Sequence, residues 1–184
     1  MTSKDYIKAD LYRYSGKSYS FFLLLKSFWI PGFWFMFLFR KAGSFSKKSP
    51  LGIFYRLLCR RYSYKFGYQI PVGTKIGPGF YIGHFGAMII SPRTIIGKNC
   101  NIAHGVTIGA VMYGKRKGAP IIGDSVWFGT NSIIVGGIKI GNNVLIAPGA
   151  YVNFDVPDNS IVIGNPGKVI QKENPTEEYI KNCI

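Results

Sequence analysis

The sequence has few acidic residues and few cysteines, and each shortage excludes a class of protein. It contains 8 Asp and Glu against 23 Lys and Arg among 184 residues, which gives a formal net charge of +15. Only 17% of the residues are charged and 47% are hydrophobic, which argues against a disordered chain and against a basic nucleic-acid-binding arm. Three widely spaced cysteines, Cys59, Cys100 and Cys183, cannot form a disulfide framework or a zinc knuckle, so we expect a cytoplasmic protein.

The positive charge and the aromatic residues are concentrated in the first third of the chain. Residues 1–70 hold 13 Lys and Arg against two Asp, a net charge of +11, whereas residues 71–184 carry +4. Twenty of the 29 aromatic residues precede residue 71. We therefore expect a basic, aromatic-rich helical region at residues 1–66, a second unit at 67–170 and a helical tail at 171–184.

The longest apolar run covers residues 21–39 and reads FFLLLKSFWIPGFWFMFLF. Lys26 and the Pro31-Gly32 pair interrupt it, which disfavours a continuous membrane-spanning helix. The run predicts a helix-turn-helix or kinked helix lying in an anionic membrane interface, with Trp29 and Trp34 immersed. Such a protein would be peripheral at the inner face of the cytoplasmic membrane. The alternative is a small helical cap whose apolar stripes pack on each other and on the main unit.

Apolar residues recur six positions apart through most of the remaining chain, with two interruptions. A six-residue period predicts stacked coils of short strands, a parallel β-helix in which these side chains point inward. The series consists of Ile70, Ile76, Ile82, Met88, Ile96, Ile102, Ile108, Ile122, Phe128, Ile134, Ile140, Ile146 and Val152. The fifth residue of most repeats is small or β-branched, so Cys100 is interpreted as a packing residue rather than a reactive thiol.

The larger interruption, between Ile108 and Ile122, leaves eight extra residues within positions 110–120. This segment carries Lys115, Arg116 and Lys117. A long loop extruded from a regular solenoid is more often functional than decorative. A solvated run of charge is the alternative.

The repeat spacing places both histidines of the chain at one corner of adjacent coils. His84 and His104 are each the third residue of a repeat, and 20 residues, three repeats plus a two-residue insertion, separate them. Coils stacked at strand spacing would bring the side chains to roughly 5 Å from each other. Like charges at that distance disfavour each other, so at least one imidazole would be neutral near neutral pH. A neutral imidazole suits the removal of a proton from an attacking hydroxyl.

Four segments of this unit resemble the hexapeptide-repeat acyltransferases. The match is to the serine acetyltransferase branch, which includes bacterial exopolysaccharide O-acetyltransferases of the colanic acid type. The segments are Gly83-His84-Phe85-Gly86, residues 101–109 (NIAHGVTIG), Ile122-Gly123-Asp124 and Gly164-Asn165-Pro166-Gly167-Lys168. The resemblance implies a mainly β fold, the left-handed parallel β-helix, together with a homotrimer, acetyl-CoA as acyl donor and active sites in clefts between subunits.

The resemblance also implies roles for individual residues. His84 lies where the family carries its catalytic histidine, and His104 would assist or line the substrate cleft, with a structural corner residue as the alternative. The residues expected to contact coenzyme A are Gly129, Thr130, Ala147, Pro148, Gly149 and Lys168, with Lys115 and Lys117 as candidates for a phosphate. No metal is expected, since two histidines and scattered acids form no ligand cluster.

Three departures from the serine enzymes bear on the acceptor. At the two positions where the serine enzymes carry carboxylates, this chain has Gln69 and Gly83. At the position of their Arg-His pair it has Gly118-Ala119. These departures predict a neutral acceptor, the hydroxyl of a surface-polysaccharide sugar or its precursor, with Gln69 in the substrate site. The alternatives are a serine O-acetyltransferase of cysteine biosynthesis and a catalytically silent β-helix scaffold. Gln69, a backbone carbonyl or a neighbouring subunit could orient His84.

Overall fold

The computed structural model describes residues 1–184 and shows four helices followed by fifteen short strands. The helices are α1 (Ser3–Ser15), α2 (Phe21–Ser27), α3 (Pro31–Ser44) and α4 (Pro50–Phe66). The strands are β1 (Tyr68–Gln69), β2 (Lys75–Ile76), β3 (Tyr81–Ile82), β4 (Met88–Ile90), β5 (Ile95–Ile96), β6 (Asn101–Ile102), β7 (Thr107–Gly109), β8 (Ile121–Ile122), β9 (Trp127–Phe128), β10 (Ile133–Val135), β11 (Lys139–Ile140), β12 (Val144–Ile146), β13 (Tyr151–Val152), β14 (Ser160–Ile163) and β15 (Lys168–Gln171).

The strands stack into three parallel sheets that form the sides of a prism. The sheet orders are β1-β4-β7-β10-β13, β11-β8-β5-β2 and β15-β14-β12-β9-β6-β3. Up to β13, consecutive strands belong to different sheets, so each coil visits all three sides before the chain reaches the next coil. The molecule is the parallel β-helix that the six-residue period predicts.

The interior of the prism is filled by the residues of the repeat. All thirteen predicted inward positions are buried, none more than 5% exposed. The small or β-branched positions between them, such as Cys100, Val126 and Ala150, are fully buried as well. Burial raises the pKa of the Cys100 thiol to about 12, which agrees with a packing role.

The four helices cover the amino-terminal end of the prism, and a buried ion pair joins them to its first coil. Arg40 Nε of α3 donates to Asp10 Oδ2 of α1 at 2.9 Å. Asp10 Oδ1 also accepts hydrogen bonds from the amides of Gly79 and Phe80, at 2.9 and 3.0 Å. Arg40 in turn donates to the carbonyls of Ile76 and Gly77, each at 2.6 Å. The pair therefore provides hydrogen-bond partners for four backbone groups of the first coil, which has no preceding coil to pair with.

The apolar run at residues 21–39 forms two helices with a bend of 113° between them. Neither of these helices, nor α1 or α4, is by itself long and apolar enough to cross a bilayer; α2 and α3 reach the length and composition only when they are taken together.

The tail at residues 171–184 differs from the predicted helix. Its first residue ends β15, which runs antiparallel to β14, and the remainder forms turns. Side chains of the solenoid form hydrogen bonds with backbone groups of the tail. Asn101 Nδ2 donates to the Tyr179 carbonyl at 2.9 Å, and the Ile184 amide donates to Asn99 Oδ1 at 3.1 Å. These side-chain contacts replace the internal hydrogen bonds of a helix, so the prediction of a helical tail is wrong.

Candidate active site

The two histidines lie at the same corner of adjacent coils, as their spacing predicts. His84 follows β3 and His104 follows β6, and these strands are paired in register with Ile82 opposite Ile102. The ring centroids are 5.9 Å apart and the rings are nearly perpendicular, at 89°. Both side chains are exposed at the surface of the single chain. A substrate can therefore reach both imidazoles from one side.

The backbone around the histidines is fixed by hydrogen bonds to the end of α4 and between coils. The Gly86 amide donates to the Phe66 carbonyl at 2.8 Å, and the Gly105 amide donates to the Ala87 carbonyl at 2.6 Å. The His104 carbonyl accepts from the Asn131 amide at 3.1 Å. The equivalent corners of successive coils are thus joined by hydrogen bonds into one edge of the prism, which we call the histidine edge.

Buried Tyr68 and partly buried Tyr14 support the His84 segment, and the sequence patterns predict neither contact. Tyr68 Oη donates to the His84 carbonyl at 3.3 Å. Tyr14 Oη donates to the Ile82 carbonyl at 3.0 Å and accepts from the Ile82 amide at 2.9 Å. Burial raises the pKa of both phenols well above the ordinary value, so they remain neutral donors. The one available signal was the position of Tyr68, two residues before Ile70 on the inward side of the strand.

Neither imidazole has a hydrogen-bond partner within the chain. Gln69 lies exposed on β1, opposite Ile89, and forms no hydrogen bond with His84. It lines a cavity of about 580 Å³ between α4 and β1, together with Arg56 and Arg60. Of the three orienting groups left open by the sequence, the single chain contributes neither a Gln69 contact nor a backbone carbonyl to the ring of His84.

The candidate coenzyme A residues lie farther along the same edge. Gly129 and Thr130 follow β9, and residues 147–149 follow β12, each at the corner equivalent to that of the histidines. The Gly149 amide donates to the Thr130 carbonyl at 2.9 Å, which joins these turns into the stack. Lys168 is exposed at the start of β15, opposite Ile163.

Unpaired amides occur at equivalent positions of this edge. The N–H groups of His84, His104 and Thr130 donate to no backbone or side-chain acceptor within the chain. Beside them, a Cβ on Gly149 would meet no atom within 4 Å, so the edge is open at that point. The edge therefore offers both donors and space to a long, narrow ligand.

Lys115 and Lys117 lie at a different corner from the histidines. Their loop leaves the prism after β7 and returns before β8, and a bridge between Val111 and Gly118 closes it. Residues 112–117 are all exposed. The structure therefore does not bring these lysines to His84 within one chain. No group of three or more His, Cys, Asp or Glu is arranged to hold a metal ion.

Comparisons with known proteins agree with this architecture. Residues 119–153 match the family described as bacterial transferase hexapeptide (six repeats). Serine acetyltransferase of Helicobacter pylori is 36% identical over 107 residues, which are 58% of this chain and 63% of that protein. Serine acetyltransferase 1, chloroplastic, of Arabidopsis thaliana is 40% identical over 131 residues, 70% of this chain and 41% of that protein. The chain spans between about a third and two thirds of the curated relatives it matches.

Solved structures extend the likeness to almost the whole chain. Serine acetyltransferase of Neisseria gonorrhoeae superposes with a TM-score of 0.75 at 29% identity, covering 93% of this chain and 66% of that one. Serine acetyltransferase of Brucella abortus in complex with coenzyme A gives 0.74 at 26% identity, covering 94% and 67%. The predicted fold class, a left-handed parallel β-helix with an amino-terminal helical region, is confirmed.

The same comparisons overturn the predicted acceptor. The relatives and solved structures described above are serine acetyltransferases, and the resemblance to exopolysaccharide O-acetyltransferases is not supported. The prediction of a sugar hydroxyl is therefore wrong. It relied on three aligned positions, at Gln69, Gly83 and Gly118-Ala119. An acceptor site is assembled from residues distant in sequence, so substitutions at a few aligned positions do not define what it binds.

Proposed function

We propose that this chain, a hexapeptide-repeat β-helix, is an acetyl-CoA-dependent acetyltransferase that acylates the hydroxyl of L-serine. The observation that carries the proposal is the exposed pair His84 and His104, whose ring centroids lie 5.9 Å apart on an edge where their own amides and that of Thr130 are unpaired. The names of the related proteins indicate the acceptor, and the coenzyme A complex of one structural neighbour indicates the donor.

His84 is assigned the role of general base. Its imidazole nitrogen takes the proton of the serine hydroxyl while the oxygen forms a bond to the thioester carbonyl carbon. The carbon–sulfur bond then breaks, and the departing sulfur takes the proton from His84. The products are O-acetylserine and coenzyme A with a free thiol, so no further reactant is required.

His104 is assigned an assisting role beside His84. The two rings meet edge to face and both side chains are exposed, so a ligand in the cleft can contact both imidazoles. An imidazole at this distance can hold the acceptor hydroxyl in the geometry of attack, and such positioning lowers the barrier by removing motional freedom from the reactants.

The edge beyond the histidines is proposed to hold coenzyme A. The Thr130 amide and the open space beside Gly149 suit the amide groups of the pantetheine arm. Lys168 lies exposed at the far end of the same edge, where a cation would face phosphate.

A homotrimer would complete this site. Lys115 and Lys117 lie at another corner of the prism, so only a neighbouring subunit can bring their loop to the histidines. The outer surfaces of two sheets are suitable for association, since they expose isoleucines. Those isoleucines are Ile89, Ile133, Ile95 and Ile121. A neighbouring subunit would also supply the missing orienting group for His84.

The test is the release of coenzyme A thiol by the purified full chain with acetyl-CoA and L-serine. We expect release that depends on serine, with O-acetylserine identified by mass spectrometry. L-Alanine, which lacks only the hydroxyl, is the matched control and should give no release above that without an acceptor. Release with a different hydroxyl compound but not with serine would overturn the acceptor, and no release with any acceptor would indicate a silent scaffold.

A further inference from the structure

Two helices of the amino-terminal region expose large apolar side chains that no other part of the chain covers. On α2 and the turn after it, Phe21 and Phe22 are 69% and 79% exposed, and Trp29 is 90% exposed. The intervening Leu23 and Leu24 pack inward against a small cluster around Phe33. The helix is therefore apolar on both sides, and only one side is used within the chain.

The longer helix α4 repeats this arrangement. Leu58, Tyr62 and Phe66 pack against the core. The opposite side bears apolar residues that are more than half exposed, with two arginines among them. The exposed set comprises Phe54, Leu57 and Tyr64 together with Arg60 and Arg61. Helical spacing of three and four residues places Phe54, Leu57 and Arg61 on one stripe.

The end of α2 and the last turns of α4 border one cavity. Leu25 and Trp29 line this space of about 560 Å³ together with Tyr62 and Lys65 of α4. We call the exposed residues of these two helices and of the turn after α2 the outer helical face. The carboxyl end of α4 adjoins the histidine edge, because the Phe66 carbonyl accepts the hydrogen bond of the Gly86 amide, two residues from His84.

Charge decides what can cover the outer helical face. No Asp or Glu occurs anywhere in residues 11–123, so the arginines and lysines of this face have no acidic neighbours in α2, α3 or α4. A second copy docked through the same face would bring two basic surfaces together with no acidic side chain from α2, α3 or α4 between them, which is unfavourable. An anionic surface with an apolar interior fits both properties, since it accepts aromatic side chains and attracts cations.

We propose that the outer helical face docks the enzyme on anionic lipid membranes. Trp29, Phe21 and Phe22 enter the headgroup region, and Arg60, Arg61 and Lys65 contact the lipid phosphates. Docking in this way holds the histidine edge beside the membrane surface. The proposal does not depend on which acceptor the enzyme acylates.

The test measures binding of the full chain to vesicles by co-sedimentation. Vesicles of phosphatidylcholine alone are compared with vesicles of equal parts phosphatidylcholine and phosphatidylglycerol, at low and at high salt. We expect binding to the anionic vesicles that is at least roughly tenfold stronger than to the neutral ones and that weakens as salt rises. Failure to bind anionic vesicles at low salt would overturn the proposal.

Two variants separate the apolar and the charged contributions. Phe22→Ser/Trp29→Ser and Arg60→Glu/Arg61→Glu should each reduce the partition coefficient by roughly tenfold or more. Tyr113→Ser and Lys172→Glu, at exposed positions outside this face, should bind like the wild type. Circular dichroism and gel filtration show whether each variant is folded.

A different result would favour a second copy. If Phe22→Ser/Trp29→Ser forms a smaller assembly than the wild type and yet binds vesicles equally well, the outer helical face is a protein interface and the membrane proposal is wrong.

Discussion

At the scale of single residues, burial separates the reactive side chains of this protein from the inert ones. Cys59 and Cys100 are buried, and burial raises the pKa of each thiol to about 12, so both remain protonated at neutral pH. Cys183 is exposed near the end of the chain. Because the thiolate is the nucleophile, the three cysteines should differ sharply in reactivity.

We therefore expect one fast-reacting thiol in the folded protein and three in denaturant. A thiol-specific chromophoric reagent at mildly alkaline pH gives the count, and Cys183→Ser should abolish the fast phase. Fast labelling of Cys100 in the native protein would contradict the packing role assigned to it.

Tyr68 is predicted to position His84 rather than to react. Tyr68→Phe removes only the hydroxyl that donates to the His84 carbonyl. The lost hydrogen bond should cost about 1 kcal/mol of stability. We expect kcat to fall several-fold while KM for acetyl-CoA stays nearly constant. Tyr64→Phe, an exposed tyrosine on α4, is the matched control and should leave both unchanged. Equal losses of kcat in Tyr68→Phe and Tyr64→Phe would contradict a positioning role for Tyr68.

The histidine pair could be predicted from the sequence, whereas its surroundings could not. Adjacent coils stack in register, so counting repeats is sufficient to place His84 beside His104. The contacts of Tyr14 and Tyr68 depend on where the helices dock on the first coil, which no repeat encodes. The acceptor does not follow from Gln69 and Gly83 for a similar reason, since the rest of the cleft comes from residues distant in sequence.

At the scale of elements, the helices and the solenoid depend on one another through Asp10 and Arg40. The first coil of a β-helix has no earlier coil to pair with, and unpaired buried backbone groups are costly. Asp10 and Arg40 supply the missing partners to Ile76, Gly77, Gly79 and Phe80. The pair therefore acts as the cap of the solenoid.

Removal of one partner of this pair should destabilise the protein strongly. Asp10→Ala leaves the Arg40 charge buried and two amides without an acceptor, and we expect a loss of about 3–5 kcal/mol in the free energy of unfolding. Chemical denaturation monitored by circular dichroism measures it. Glu173→Ala removes an exposed carboxylate and should change little. A loss below about 1 kcal/mol in Asp10→Ala would show that the cap is dispensable.

Elements with a strong period were predictable, and elements defined by long-range contacts were not. The inward positions from Ile70 to Val152 follow from spacing alone because each coil repeats the same burial pattern. The bend between α2 and α3 follows from Pro31, which begins the second helix. The tail lacks any period, and its turns are set by the side chains of Asn99 and Asn101 on distant coils.

At the scale of the whole molecule, the proposed site divides between two corners of the prism. The histidine edge and the Lys115–Lys117 loop lie at different corners, and the isoleucines on two outer surfaces are exposed to solvent. Association through those surfaces would bury the isoleucines and unite the two corners.

Sedimentation equilibrium should therefore give a mass three times that of the chain. Ile133→Glu on the outer side of β10 should shift the protein towards smaller species and reduce activity at the same time. A fully active monomer would rule out a shared site. Leu57→Glu, on the outer helical face, is the control and should leave the trimer intact.

The central claim is that His84 removes the proton of the serine hydroxyl. The most direct measurement is kcat for L-serine, at saturating acetyl-CoA, in His84→Ala beside the wild type and His104→Ala. We expect kcat of His84→Ala to fall about 10²–10⁴-fold, with a smaller loss for His104→Ala and with KM for acetyl-CoA nearly constant in both. A His84→Ala enzyme that keeps the kcat of the wild type would contradict the account.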